Sequence, residues 1–329
     1  MKNFGPISNL DIDNLGPINL LIGPNRSGKT ILLKAFYCAQ RTIEMTGRGK
    51  NPLSGKDILV DKLFWTFQID KIGNLVRKPY QGPLEFEMTE KSGSSLCYSF
   101  GPTTEKQIVK FENNSTPRTS NSIFLPAKEI LSLREIIITH RDRFMEFGFD
   151  ETYYDLAKAL TPPTQGKIAE TFVEVRRRLE DALGGRIVYS KDNNIWQYVQ
   201  GNNTFDISIT SEGTKKIAIF DTLIANHFLT RDSIVFIDEP ESGLHPKLLI
   251  DLLDIIGVLA QYGLQFFIAS HSYFVIKKLY LLAHKLNMSV PVLAFDFEGG
   301  IHQANLQTSM PENPIIDQSI KLYEEELAL

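Results

Sequence analysis

Apolar runs of strand length are each followed by a loop and then by a stretch with helical periodicity. Residues 19–22 form the first such run, and a glycine-containing segment at 23–30 separates it from the apolar-periodic stretch at 31–36. Two more apolar runs lie at 233–237 and 264–269, with a helical pattern at 246–260 between them. Strands that alternate with helices in this way predict a mostly parallel core sheet.

The pattern in the middle of the chain is different. Short β-rich pieces, broken by Gly, Ser and Asn clusters, fill residues 80–125 and predict antiparallel sheet. A helical pattern follows from 127 to 183, interrupted by Pro162 and Pro163. These shifts predict an α/β core made of residues 1–45 and 205–329, a β-rich lobe at 46–126, and a helical insert at 127–204.

Near the end of the chain, two apolar segments predict a hairpin. They cover residues 291–297 and 301–306 and flank a glycine-containing turn at 298–300. The acidic residues at 324–326 are expected to continue an amphipathic helix, which is more common than a functional acidic tail.

Composition and charge exclude several classes of protein. The 329 residues are 43% hydrophobic, which is enough for a sizeable core and rules out disorder as the main state. The formal net charge of -4 gives no bulk positive charge for binding nucleic acid or a membrane surface. The two cysteines, Cys38 and Cys97, lie in neither a CxxC motif nor a Cys/His cluster, which argues against disulfide frameworks and zinc sites. With no leader-like or membrane-spanning segment, we expect a cytoplasmic protein without a membrane partner.

The segment at 23–30 matches the GxxxxGK[ST] pattern in full. Its strand-to-helix context lets backbone N–H groups cradle phosphate oxygens at the N-terminus of a helix. Lys29 is expected to reach the β- and γ-phosphates, Thr30 to offer its hydroxyl to Mg²⁺, and Gly28 to allow close approach of the backbone. The predicted phosphate-binding residues are Gly23, Pro24, Asn25, Arg26, Ser27, Gly28, Lys29 and Thr30.

Two acids and a histidine follow the downstream apolar runs. Asp238 ends one predicted strand, where a carboxylate is needed to complete the Mg²⁺ shell, and Glu239 beside it can orient or deprotonate a water molecule. His271 follows the next strand and is a candidate for contact with the γ-phosphate region. A histidine at a strand end is also often structural, so both interpretations stay open.

Three segments together resemble an ABC-type ATPase, and more narrowly the OLD/RecF/SMC-like branch. They are the motif at 23–30, the sequence DEPESGLHP at 238–246 and the sequence IASHS at 268–272. The resemblance implies a P-loop NTPase fold with an ABC-type ATPase head, which uses ATP and Mg²⁺. It also implies Mg²⁺ support from Asp238, a catalytic base at Glu239, a D-loop at 242–245 and a switch histidine at His271.

The same resemblance implies a signature loop that completes the nucleotide site of a second subunit. Ser211 and Gly213 match the family's Ser and second Gly, whereas Glu212 replaces the first Gly. An ordinary helix N-cap at Ser211 is the alternative. His245 stands where transporters have Asp, which argues against a transporter subunit. Gln68 is the candidate for the Q-loop, although its aromatic neighbours also fit a core stripe.

The function implied is an ATP-hydrolysing, dimerising switch that controls a separately encoded effector such as a nuclease, in anti-phage defence or DNA repair. The chain shows no nuclease constellation of its own. The basic clusters at 134–143 and 176–178 could contact DNA phosphates, but a solvated helix face with alternating charge explains them equally simply. The alternatives are a nucleotide-binding subunit of an ABC transporter and a scaffold that binds ATP without significant hydrolysis.

Overall fold

A six-stranded sheet forms the core of the protein in the computed structural model, which describes residues 1–91, 93–115, 118, 120–163, 166–192, 195–296 and 300–328. All neighbouring pairs in it are parallel except the pair that the last strand makes at one edge. Its strands are β3 (Ile18–Ile22), β7 (Ser122–Leu125), β11 (Ile234–Asp238), β12 (Gln265–Ser270), β13 (Pro291–Phe295) and β14 (Ile301–Asn305), in the spatial order β14-β13-β3-β12-β11-β7.

Two smaller sheets are antiparallel. The first has the order β2-β1-β4-β5-β6 and is made of β1 (Lys2–Phe4), β2 (Ile7–Asn9), β4 (Leu84–Thr89), β5 (Ser95–Phe100) and β6 (Lys110–Asn113). The second has the order β10-β9-β8 and is made of β8 (Arg186–Ser190), β9 (Ile195–Gln200) and β10 (Asn203–Asp206).

The longer helices of the described residues cover and extend this framework. They are α1 (Lys29–Met45), α2 (Gly55–Phe67), α3 (Arg134–Phe144), α4 (Glu151–Ala159), α5 (Glu170–Leu183), α6 (Glu212–Ala225), α7 (Pro246–Tyr262), α8 (Tyr273–Lys285) and α9 (Pro314–Leu327). No helix among the described residues is both long and apolar enough to cross a membrane.

The core strands are buried on both faces, as expected for a parallel sheet covered by helices. All five residues of β3 are buried. On one face, the rings of Tyr37, Phe124 and Phe236 pack edge to face or stacked, with Tyr37 and Phe236 centroids 5.6 Å apart. This packing holds α1 against the sheet, and the first two residues of α1, Lys29 and Thr30, are the last two of the phosphate-binding motif.

Several predicted elements are confirmed. The strand–loop–helix unit at the start, the strands at 233–237 and 264–269 and the helix from 246 are all present as β3, α1, β11, β12 and α7. The hairpin strands pair antiparallel as β13 and β14, while residues 297–299 of its turn lie outside the described residues. The acidic C-terminal stretch lies in a helix, α9.

In the middle of the chain the predicted antiparallel strands and helices are present as β4–β6 and α3–α5, but one expectation was wrong. Residues 122–125 are not antiparallel sheet: they form β7, which pairs parallel with β11 at the edge of the core. The predicted β-rich lobe also contains a 13-residue helix, α2, and the β8–β10 sheet begins within the predicted helical insert. The pairing of β7 was mispredicted because a short apolar run has the same hydrophobic pattern in a parallel and in an antiparallel sheet. Its partner strand is decided by residues that are distant in the sequence.

Candidate functional site

The candidate site lies where three neighbouring core strands end. In the sheet register Asp238 is opposite Ala269, and Ser270 is opposite Ile22. Because parallel strands point the same way, the loops after β3, β11 and β12 leave the sheet at one edge. The structure therefore brings together the phosphate-binding motif, the two acids and His271, as the sequence predicts.

The Lys29 side chain lies back over its own loop. Its Nζ donates hydrogen bonds to the carbonyl oxygens of Gly23 and Pro24, at 2.8 and 2.7 Å. Burial lowers the pKa of Lys29, and the nearby carboxylate of Asp238 opposes that shift. The ammonium group is thus held at the centre of the loop, where an incoming anion would meet it.

Two glycines of the loop occupy positions where a side chain would not fit. Gly23 has φ of +146°, and a Cβ there would lie 2.6 Å from the carbonyl oxygen of Phe295. Gly28 has φ of +103°, and its Cβ would lie 2.9 Å from the Pro6 ring. Both φ angles lie in the region that favours glycine, and at both positions a Cβ atom would be too close to its neighbour.

Two polar features of the loop fit phosphate. The hydroxyl of Ser27 is buried and has no hydrogen-bond partner. The first turn of α1 begins at Gly28 without a side-chain cap, so its N–H groups are available to an anion. A phosphate bound here would satisfy these donors, and the residues present therefore fit a nucleotide.

Thr30 and Asp238 meet across the site. The Thr30 hydroxyl lies 3.1 and 3.0 Å from the two carboxylate oxygens of Asp238. Burial raises the pKa of Asp238 to about 6, although the Thr30 hydrogen bond favours the ionised form. These are the oxygen ligands that Mg²⁺ takes from protein when phosphate oxygens and water supply the rest of its shell. Among the described residues, no group of three or more His, Cys, Asp or Glu side chains could hold a metal ion alone.

Glu239 has an unusual backbone conformation for a glutamate. Its φ is +47°, in the left-handed region, and its N–H donates to the carbonyl oxygen of Ala269 at 2.8 Å. Its Oε1 lies 3.2 Å from Nδ1 of His271, and both side chains are partly exposed. A carboxylate held beside an imidazole at the open edge of a phosphate site can accept a proton from water.

Glu241 is a residue whose position the sequence did not reveal. Its Oε1 accepts hydrogen bonds from the Ser270 hydroxyl at 2.8 Å and from the backbone N–H of His271 at 3.1 Å. Its other carboxylate oxygen is buried without a partner. Glu241 therefore fixes the turn that carries His271, and the only sequence signal for it is its place two residues after Glu239.

Tyr153 and Asp150 of the helical segment also approach the site. Asp150 caps α4 and accepts from Lys34 of α1 at 2.7 Å. Burial raises the pKa of Tyr153 to about 12, and the carboxylates of Asp150 and Asp238 add to the shift. The N-terminus of α4 thus lies beside the phosphate-binding helix, which sequence spacing does not indicate.

Ser211 and Gly213 lie at the start of α6. The Ser211 hydroxyl accepts from the Thr214 N–H at 3.2 Å, so Ser211 is the helix N-cap. A Cβ on Gly213 would lie 3.1 Å from the Leu244 side chain, which places this turn directly against the 242–245 loop of the same chain. No hydrogen bond or ion pair among the described residues joins Ser211 to Lys29 or Thr30, so its predicted role toward a second subunit stays a prediction.

Lys216 links α6 to Glu239 within one chain. Its Nζ donates to the Glu239 carbonyl oxygen at 3.3 Å. Burial lowers the pKa of Lys216 to about 8, although the carboxylates of Glu241 and Glu239 oppose the shift. Lys216 lies within the predicted signature segment at 210–216, but sequence reasoning gave it no role because its contact with Glu239 depends on the fold.

The depressed pKa of Lys216 makes stability depend on pH. Its value is about 8 in the folded protein against an ordinary 10.5, so between these values the unfolded chain binds more protons. The stability of the wild type therefore rises with pH between these two values. Below them the cost of burying the Lys216 ammonium group is fully present. Lys216→Met removes that cost at every pH. The difference in free energy of unfolding between the variant and the wild type should therefore fall by about 3 kcal/mol or less from neutral pH to about pH 10.

Urea unfolding of both proteins across this pH range measures the effect. Lys247→Met is the matched control, because Lys247 is exposed at the start of α7. Its stability curve should stay parallel to that of the wild type. A Lys216→Met stability curve that is also parallel to the wild-type curve would contradict the claim that burial lowers the pKa of Lys216.

His245 and Gln68 have local structural roles. Nδ1 of His245 accepts from the Lys247 N–H at 3.2 Å and caps α7. Gln68 ends α2 in a left-handed conformation, and its buried side-chain nitrogen has no partner. No described hydrogen bond joins Gln68 to Lys29, Thr30 or Asp238, so its assignment to the Q-loop stays a prediction.

Most arginines of the two basic clusters are paired with acids. Arg141 is 3.2 Å from Glu151 and lies over the Trp65 ring. In the other cluster, Arg176 binds Asp221 at 2.6 Å, while its two neighbours pair with Glu174. The interpretation as helix faces with balanced charge is therefore favoured over phosphate contact for these side chains.

The fold agrees with that of known SMC heads. The chain superposes on an SMC head bound to the C-winged helix domain of ScpA with a TM-score of 0.55 at 13% identity, covering 94% of this chain and 97% of that one. An SMC head from Pyrococcus furiosus, bound to the C-terminal domain of ScpA, gives 0.52 at 11% identity and covers 98% and 97%. No curated protein sequence matches the chain significantly.

The fold is similar to that of SMC heads, and the site contains the side chains expected of an ABC-type ATPase. A family model described as "AAA domain, putative AbiEii toxin, Type IV TA system" matches residues 18–277, which is more than half of the chain. The chain belongs to this family. The matched range includes the phosphate-binding motif, both acids and His271.

Proposed function

We propose that this protein is an ATP-hydrolysing switch in which ATP closes two copies head to tail and hydrolysis reopens them. The closed state would control a separately encoded effector. The observation that carries the proposal is the contact of Thr30 with Asp238, which are 208 residues apart in the sequence. Lys29 is adjacent to Thr30 and Glu239 is adjacent to Asp238, so the groups that one chain contributes to phosphoryl transfer to water converge.

Each side chain has one chemical task. Lys29 turns from its own loop carbonyls to the β- and γ-phosphate oxygens, and Thr30 and Asp238 would hold Mg²⁺. When bound, Mg²⁺ neutralises charge that develops on the phosphate oxygens. Glu239 accepts a proton from the water that attacks the γ-phosphorus, and the bond to the bridging oxygen of ADP breaks. His271, 3.2 Å from the Glu239 carboxylate, orients that base.

In this proposal a second copy is needed because Ser211 is exposed and has no described hydrogen bond to Lys29 or Thr30 of its own chain. Ser211 and Glu212 are exposed at the start of α6, and the N-terminus of a helix favours an anion. Within the chain, α6 reaches the catalytic edge through Lys216 and the carbonyl of Glu239. A second copy bound at Ser211 would thus be linked to the position of the base.

The effector part of the proposal is supported by the comparisons. The family description refers to a toxin of a type IV toxin–antitoxin system, and the SMC heads of similar fold were solved with domains of ScpA. A nuclease in anti-phage defence or DNA repair is the effector class that we propose. Because most arginines of both clusters are paired with acids, the sequence argument for direct DNA binding is weakened, and the proposal does not require this chain alone to bind DNA.

A complementation assay tests the shared site. Lys29→Ala removes the phosphate contact of its own site, and Ser211→Arg blocks only the site of the second copy. Each variant alone should lose ATP hydrolysis. An equal mixture should recover about a quarter of wild-type activity, because half of the dimers are mixed and each of these has one intact site.

Sedimentation with Mg-ATP separates the remaining outcomes. Activity of Lys29→Ala at the wild-type level would refute the phosphate-site assignment. Full activity of Ser211→Arg, or a mixture without recovery although mixed dimers form, would refute the shared site. Dimers that form on ATP without any hydrolysis in the wild type would instead identify a scaffold.

A further inference from the structure

Two neighbouring lysines at the start of α6 make different kinds of contact. Lys215 forms ion pairs with Glu129 at 3.3 Å and with Glu212 at 3.5 Å. Lys216 makes no ion pair among the described residues, and its Nζ donates instead to the backbone carbonyl oxygen of Glu239 at 3.3 Å. One lysine therefore anchors α6 through acids, and the other reaches the residue proposed as the catalytic base.

The position of Lys216 is unfavourable for its charge. Burial lowers the pKa of Lys216 to about 8, although four carboxylates oppose the shift. They belong to Glu241, Glu239, Glu212 and Asp238. A buried ammonium group without an ion-pair partner costs stability, and features that cost stability are typical of functional sites.

The carbonyl that Lys216 binds belongs to a residue with a strained backbone. Glu239 has a φ of +47°, and a non-glycine residue keeps such a conformation only when its surroundings hold it. Its N–H donates to Ala269, and its carbonyl oxygen accepts from the N–H of Ser242 at 3.0 Å and from Lys216. The bond from Lys216 is the one of these three that a side-chain substitution removes.

The backbone conformation of Glu239 sets the direction of its side chain. In the observed conformation its Oε1 lies 3.2 Å from Nδ1 of His271. A change of φ and ψ at Glu239 would turn the Cα–Cβ bond and shift the carboxylate. A shift of about 1 Å in a reacting group can cost about a hundredfold in rate.

We infer that Lys216 is a positioning residue for Glu239 of its own chain, and that it holds the backbone so that the carboxylate points toward the attacking water. The inference rests on the proposed ATP hydrolysis with Glu239 as the base. It assigns Lys216 to the site of its own chain, whereas the proposed function assigns the nearby Ser211 to the site of the second copy.

Steady-state ATP hydrolysis by Lys216→Met tests the effect on the base. The value of kcat should fall about tenfold to a hundredfold, and KM for Mg-ATP should stay within about twofold, because no described contact joins Lys216 to the phosphate-binding loop. Lys216→Arg should keep most of kcat, since a guanidinium N–H can also donate to the carbonyl. Lys247→Met, at an exposed lysine of α7, is the matched control and should behave as the wild type.

Urea unfolding at neutral pH separates positioning from a general loss of structure. The unfolding midpoint of Lys216→Met should be equal to or higher than that of the wild type, because a buried charge is removed. A lower midpoint together with a lower kcat would show a structural role and overturn the inference. An unchanged kcat would overturn it as well.

Mixed dimers show which site Lys216 serves. In the mixture of Lys29→Ala with Ser211→Arg, the working site uses Glu239 of the Ser211→Arg chain and Ser211 of the other chain. Adding Lys216→Met to the Ser211→Arg chain should lower the recovered activity by the same factor as in the wild type. Adding it to the Lys29→Ala chain should leave the recovered activity unchanged. Equal losses in both mixtures, or a loss only in the second, would overturn the inference.

The failure of this inference is distinguishable from that of the proposed function. A wild-type protein that does not hydrolyse ATP, or a Glu239→Gln variant with a normal rate, would overturn the proposed base and the role of Lys216 together. An inactive Glu239→Gln with a fully active Lys216→Met would overturn the role of Lys216 alone.

Discussion

Glu239→Gln is expected to slow ATP hydrolysis about a hundredfold or more and to leave ATP binding intact. The amide keeps the size and hydrogen-bonding reach of the side chain, so the contact with Nδ1 of His271 at 3.2 Å can persist. An amide cannot take up the proton of the attacking water, and general-base catalysis contributes about 10²–10⁴ in rate. Because hydrolysis reopens the proposed dimer, the variant should also accumulate as a dimer with Mg-ATP.

Single-turnover hydrolysis and nucleotide titration together measure this effect. Glu312→Gln makes the same change at an exposed glutamate between β14 and α9, and it should hydrolyse ATP at the wild-type rate. A normal rate in Glu239→Gln would exclude Glu239 as the base. Loss of ATP binding would show that its carboxylate supports the nucleotide site structurally.

Lys62→Met should lower the free energy of unfolding by about 3–5 kcal/mol, which is the usual cost of breaking a buried ion pair. The Lys62 ammonium is 2.7 Å from Glu151 and 2.8 Å from Asp155, and its side chain is only 4% exposed. Burial opposes the charged form of Lys62, but the two carboxylates outweigh it and raise its pKa. Removing the charge leaves both acids buried with less compensation.

Urea unfolding of Lys62→Met and of Lys278→Met tests this prediction. Lys278 lies 2.6 Å from Asp254, but that carboxylate is 39% exposed, so loss of this pair should cost about 1 kcal/mol or less. Adding Glu151→Gln to Lys62→Met should restore part of the loss, because one unpaired charge is removed. Equal losses of unfolding free energy in the two lysine variants would show that the stability of the buried cluster does not depend on the Lys62 charge.

The charged cluster that contains Lys62 connects α1, which begins at the candidate nucleotide site, with α4. Arg41 and Tyr37 of α1 contact Asp155 of α4, with Tyr37 at 2.6 Å. Lys34, one turn after Thr30, binds Asp150 at the start of the same helix. Since α1 begins at Lys29, these contacts fix α4 relative to the phosphate-binding loop.

The edge of the sheet that carries the candidate site was predictable from local patterns. The motif at 23–30 contains its own strand and helix context, and Asp238 and His271 each end an apolar run. Parallel strands that alternate with helices have their carboxyl ends on one side. Motif spacing and this rule were sufficient to predict the convergence of Thr30, Asp238, Glu239 and His271.

Long-range pairing was not predictable in the same way. β7 has the same short apolar pattern as an antiparallel strand, and only its register with β11 makes it a core strand. The partners of Lys62 lie 89 and 93 residues away, and nothing in the local sequence marks them as partners. Likewise, Arg141 belongs to a basic cluster in sequence but is neutralised by Glu151 in the fold.

The amino-acid sequence by itself therefore predicted a P-loop ATPase core and the convergence of its candidate site residues, because both depend on short motifs and strand direction. The burial of Lys216 and the pairing of the arginine clusters depended on folding. Those features arise from contacts between residues far apart in the chain, whose geometry is set by packing and burial rather than by local pattern.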